Sequence, residues 1–185
     1  MAGYDSSSEA RFGAMWRTHT LGHVYYWTHE NILLKILKKR GIDVDYSKNY
    51  NSYNLDKVDF IVTTSSIICH ETEIKALKDL VSKNKKIFVT GIFANVMKEK
   101  YGFDENIYVI PGEPESFFQN VELSKNCLDN YFEKEKNYNQ FPQTVENLDE
   151  LPFPDWSEYL KKYKLRNNFL GFNSKSAIPI VATRG

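Results

Sequence analysis

Between Asn31 and Phe118, short apolar runs and amphipathic stretches take turns, and this alternation constrains the fold more than any other feature of the chain. Ile32, Leu33, Leu34, Ile36 and Leu37 recur at helical spacing. Lys38-Lys39-Arg40 before Gly41 is the pattern of a helix end, where cations meet the negative pole of the dipole and glycine accepts the left-handed cap. Val44 and Tyr46 alternate with polar neighbours and predict a short edge strand. Phe60-Ile61-Val62 has no polar break, which predicts a strand covered on both faces. Glu71 to Ser82 predicts an amphipathic helix burying Ile74, Leu77, Leu80 and Val81, and Lys86 to Gly91 predicts the next buried strand. A shorter helix over about Ala94 to Lys100 precedes a strand over Ile107 to Ile110. A further helix carries Phe117, Phe118 and Val121 and extends as far as Phe132.

Strands and helices alternating at this spacing predict βαβ units and a parallel sheet with helices on both faces, an α/β fold of the flavodoxin-like, Rossmann-like kind. Such a domain opens with an apolar strand, and nothing between Met1 and Arg17 reads as one. In the flavodoxin-like order that strand is central, so its loss leaves strand edges unpaired inside the sheet. Ala177 to Ala182 is the remaining apolar strand candidate. The α/β domain is expected over residues 1–132. Glu133 to Asn147, rich in Lys, Glu, Asn and Gln, reads as a solvated connection opening a second section, 133–185.

Composition narrows the function classes. Lys+Arg and Asp+Glu balance at 24 each in 185 residues, so no global field draws the chain onto nucleic acid or an anionic membrane. No apolar run approaches the roughly 20 residues that span a bilayer, and Met1 to Ser8 lacks the charged-then-apolar pattern of a secretory leader, which together predict a cytoplasmic protein. Cys69 and Cys127 are too few for a metal knuckle or for an iron-sulfur cluster held by this chain alone.

Ligands of an open α/β sheet bind beyond the carboxyl ends of its strands, where helix N-termini and loop amides converge. Three loops fall there: Thr63-Thr64-Ser65-Ser66, Thr90-Gly91-Ile92-Phe93-Ala94-Asn95, and Pro111-Gly112-Glu113-Pro114-Glu115. Their glycines and small hydroxyl residues suit a large planar ligand with hydrogen-bonding side chains. The same residues cap helices and make turns in any α/β protein. Neither paired carboxylates nor a Ser/His/Asp set emerges from the spacing, so no catalytic residue is assigned, and Glu113 and Glu115 are expected to fix loop geometry or accept ligand hydrogen bonds.

The stretch Leu148-Asp149-Glu150-Leu151-Pro152-Phe153-Pro154-Asp155-Trp156, followed by Ile178-Pro179-Ile180-Val181-Ala182-Thr183-Arg184-Gly185, resembles the passage from the cobalamin-binding domain into the catalytic barrel of cobalamin-dependent radical S-adenosylmethionine enzymes. In that family such a strand ends in Thr/Ser-Arg-Gly and runs into the three-cysteine motif that holds a [4Fe-4S] cluster; here the sequence stops at Gly185. The loops around Gly91 and Gly112 likewise resemble the family's Gly-Gly-Pro and Gly-Glu-Gly-Glu passages, with Ile92 in place of the second glycine and Pro114 where glycine is frequent. The resemblance covers about Gly22 to Gly185. It implies a cobalamin-binding accessory domain of an enzyme that transfers methyl groups or rearranges an unreactive carbon centre, a methyltransferase first, with Thr64, Ser65, Ser66, Gly91, Phe93, Ala94, Gly112, Glu113 and Glu115 facing the cofactor. S-adenosylmethionine and the [4Fe-4S] cluster would belong to the barrel, the domain's expected partner. His19-Thr20-Leu21-Gly22 supplies half of the Asp-x-His-x-x-Gly motif that places histidine beneath cobalt, but Arg17 occupies the aspartate position, so cobalamin without a histidine ligand is expected. His19, His23 and His29 are read instead as part of a polar, aromatic face, and His70 as a junction residue. The alternative from another class is a cofactor-free α/β docking scaffold.

Overall fold

The computed structural model describes residues 31–45, 50–65, 67, 70–133, 144–155 and 157. Three parallel strands, β1 (Phe60–Thr64), β2 (Lys86–Thr90) and β3 (Ile107–Val109), stand in the order β1-β2-β3 with β2 central. Helix α1 covers residues 31–39. The remaining helices are α2 (His70–Ser82), α3 (Ile92–Val96), α4 (Lys98–Tyr101), α5 (Pro114–Asn120) and α6 (Lys125–Glu133). The result is an α/β fold with an open, all-parallel sheet of the flavodoxin-like kind.

Period-two alternation divides each strand between two apolar layers. Val62, Phe88 and Tyr108 lie in register and turn to one face, where Leu33, Ile36 and Leu37 of α1, Phe117 and Phe118 of α5, and Leu128 of α6 cover them. Ile61, Ile87 and Ile107, again in register, turn to the other and meet Ala76, Leu77 and Leu80 of α2, Ala94 and Tyr101. Helices therefore cover both faces. The high aromatic content is spent largely in the first layer: the ring of Phe88 lies 5.0 Å from Phe132, 5.7 Å from Phe117 and 5.8 Å from both Phe60 and Tyr108. Lys86 closes the base of this layer by pairing with Asp129 at 2.7 Å.

Three elements differ from the sequence expectation. Residues 42–45 form no strand, and Tyr46 lies outside the described residues. The helix expected from Ala94 to Lys100 is two short ones, divided at Met97, whose φ of −109° and ψ of 44° leave the helical region. The long helix expected to continue toward Phe132 breaks at Val121, where φ −72° and ψ 145° are extended. Arg40 accounts for that break: its Nη1 donates to the carbonyls of Phe118, Gln119 and Val121 and so satisfies the end of α5. The first-strand position, residues 1–30 and the segment 177–182 lie outside the described residues, as do Arg17 and His19. Among the described residues no helix is long and apolar enough to cross a membrane.

Candidate functional site at the carboxyl end of the sheet

The three loops expected to carry ligand-binding groups do meet, and their polar atoms bind one another. Ser65 N–H donates to Thr90 O at 2.7 Å, joining the ends of β1 and β2. The Ser65 hydroxyl then accepts from Ala94 N–H at 2.9 Å and so caps the first turn of α3. Asn95 performs the same service between β2 and β3. Its amide nitrogen donates to Gly91 O at 3.1 Å and Ile110 O at 3.0 Å, while its oxygen accepts from Gly112 N–H at 3.3 Å. Glu113 reaches further along the chain, its carboxylate accepting from Val145 N–H at 2.6 Å.

Gly91 is a glycine for the sake of the fold. Its φ of 108° is one that L side chains rarely adopt, and a Cβ there would lie 2.7 Å from Ser65 Oγ and 3.1 Å from Ser65 O. The space that a Cβ at Gly91 would take is occupied by Ser65. Gly112 also has positive φ, at 67°. Of the other expected site residues, Ser65, Ala94 and Glu115 are buried, Glu115 wholly so in the first turn of α5. Thr64 and Phe93 are half-buried, and Ser66 lies outside the described residues. The Phe93 ring packs 5.4 Å from His70, and His70 Nδ1 lies 2.9 Å from Ile67 O, so this histidine braces the loop after β1. Beneath it, Tyr101 donates to the buried Glu73 carboxylate at 2.7 Å.

Three apolar side chains in these segments are exposed. Ile67 is 66% exposed, Ile92 86% and Val96 73%, the last two being four residues apart on one side of α3. All three belong to segments leaving the carboxyl ends of β1 and β2. Sequence reasoning picked out the glycines and hydroxyls of these loops, read Ile92 only as standing in place of a glycine and passed over Val96, although two aliphatic residues at helical spacing where a turn should face water were the available signal.

The Leu-Pro-Phe-Pro passage is held onto α1. Leu151 packs against the first apolar layer, Asp155 N–H donates to Asn31 O at 3.1 Å, and the Asp155 carboxylate pairs with Lys38 at 3.3 Å. Hydrogen bonds from Ser157, the hydroxyl first and then the amide, together with Lys38, lower the Asp155 carboxyl to about 2. Phe153 projects from this anchored segment, 92% exposed.

No group of three or more His, Cys, Asp or Glu is placed to hold a metal ion among the described residues. No family model, curated protein or solved structure matches the chain.

Proposed function

We propose that this chain is a cobalamin-binding domain, the accessory half of a cobalamin-dependent radical S-adenosylmethionine methyltransferase. The observation that carries the reading is the exposure of the apolar side chains Ile67, Ile92 and Val96 in the segments that follow β1 and β2, on the side of the sheet where an α/β fold of this class receives its ligand. A corrin presents broad apolar area, and side chains already exposed there gain by being covered. The fit is apolar rather than polar: Ser65 and Thr90 are buried, the Ser65 hydroxyl is engaged by Ala94, and the Gly112 N–H is engaged by Asn95. Cobalamin, when bound, supplies the cobalt that carries the methyl group. The chain's own part is to seat the ring and keep water from its lower side, while the barrel supplies the [4Fe-4S] cluster and binds S-adenosylmethionine.

A docking scaffold without cofactor is the second reading. It is favoured by the bracing itself, since Ser65, Asn95 and Glu113 each spend their side chains on the protein. Gel filtration of the chain after incubation with hydroxocobalamin separates the two. Co-elution of stoichiometric visible absorbance with the protein supports the cofactor domain, and elution of colourless protein supports the scaffold.

A further inference from the structure

His70 bridges the segments that leave β1 and β2. It opens α2, and its ring lies 5.4 Å from that of Phe93, in the first turn of α3, with 55° between the ring planes. Its Nδ1 lies 2.9 Å from Ile67 O. A carbonyl oxygen only accepts, so Nδ1 carries the proton of that bond. In the neutral imidazole Nε2 is then the bare nitrogen, an acceptor on the edge of the ring away from Ile67 O.

The ring is held from more than one side. Phe93 is backed by Tyr101 of α4, whose ring stands edge-on to it at 6.1 Å, and Tyr101 donates to Glu73, one turn along α2 from His70. The circuit from His70 through Phe93 and Tyr101 returns to the helix that carries the histidine. With one nitrogen tied to Ile67 and one face against Phe93, the direction of Nε2 is set before anything binds, which lowers the entropy cost of using it. Ser65, Asn95 and Glu113 spend their side chains on the protein, whereas among the described residues His70 has one hydrogen-bond partner, Ile67 O. A half-buried imidazole between the exposed Ile67 and the α3 turn that carries Ile92 matches the make-up of a small-molecule site, in which apolar groups supply area and a few placed polar groups fix orientation.

We propose that His70 orients the ligand at this end of the sheet: Nε2 accepts a hydrogen bond from an N–H donor of the bound molecule, a side-arm amide where that molecule is the corrin. The inference rests on the cofactor reading above. An acceptor at this point favours an amide over a carboxylate in the same place, because the carboxylate has no proton to give.

Nitrogen-15 NMR of the labelled imidazole, together with His70→Asn, tests it. The asparagine amide nitrogen can stand where Nδ1 does and keep the bond to Ile67 O, while nothing replaces Nε2. The His70 resonances are assigned by their loss in the variant. In the natural chain without ligand, Nδ1 should be protonated and Nε2 bare. Saturation with hydroxocobalamin should shift the Nε2 resonance and leave the proton on Nδ1. His70→Asn should unfold at the same urea concentration as the natural chain and bind hydroxocobalamin about fivefold more weakly, the worth of one neutral hydrogen bond. A proton on Nε2 in the free chain overturns the proposal. Binding that leaves the Nε2 resonance unmoved, or equal affinity in His70→Asn, overturns it while the cofactor reading stands. Splitting of the cobalt(II) resonance by the labelled nitrogen would make His70 a cobalt ligand and overturn it too. If the natural chain binds no hydroxocobalamin, both readings fall together. If His70→Asn unfolds early, the resonance shift in the natural chain decides alone.

Discussion

Replacing Gly91 with alanine tests whether this residue serves the fold or a ligand. Two costs can be worked from the structure. Holding a residue with a Cβ at φ 108° costs about 1–3 kcal/mol. The new Cβ also meets Ser65 Oγ at 2.7 Å and Ser65 O at 3.1 Å, and the carbonyl cannot retreat freely because the Ser65 amide is bonded to Thr90 O. The hydroxyl must swing away, abandoning Ala94 N–H at a further cost of about 1 kcal/mol. The expected loss is about 3 kcal/mol, which for a chain of this length lowers the melting temperature by about 6–12 °C. Urea unfolding followed by circular dichroism measures it. A double-mutant cycle isolates the contact: in a Ser65→Ala background Gly91→Ala should cost about 1 kcal/mol less, because the hydroxyl is already gone. A loss below about 1 kcal/mol, or a cycle without coupling, would refute the reasoning, and unchanged stability with lost ligand binding would return Gly91 to the role first expected of it.

Two further outcomes follow from the packing. Tyr101→Phe removes the buried donor to Glu73 and should cost about 1–3 kcal/mol in urea unfolding; a neutral result would show that the pair is not formed in solution. Asp155 has a folded pKa of about 2 against about 3.9 unfolded, so its contribution is complete above pH 4 and is lost as the pH falls through 2. With Lys38 part-exposed, that contribution is about 1 kcal/mol, and Asp155→Asn should flatten the stability profile between pH 4 and 2; an unchanged profile would show that the Asp155 contacts are not formed in solution.

The strands were legible because their covering is two-sided. Phe60-Ile61-Val62 and Ile87-Phe88-Val89 carry no polar residue, and only a strand between two helical layers uses such a run. Helix α2 was legible from one apolar stripe. The divisions at Met97 and Val121 were not, because they depend on tertiary partners: α5 ends where Arg40, some eighty residues earlier, reaches its carbonyls. The convergence of the three loops followed from parallel strands alone, but the fate of their polar groups did not. Ser65 looks the same in sequence whether it binds a cofactor or caps Ala94, and Asn95 gives no sign that its amide ties Gly91 to Ile110 and Gly112. Ile92 read as a departure from a glycine pattern, whereas in the structure it is an apolar side chain 86% exposed.

The central claim is that cobalamin is seated against such exposed apolar side chains, and Ile92 allows a test that spares the fold. Because the side chain is 86% exposed, Ile92→Asp should leave the unfolding transition within about 0.5 kcal/mol of the natural chain. Equilibrium titration with hydroxocobalamin, read by the shift of its visible bands, should show saturable one-to-one binding to the natural chain and at least tenfold weaker binding to Ile92→Asp. Absence of binding to the natural chain, or equal affinity in both, would contradict the account.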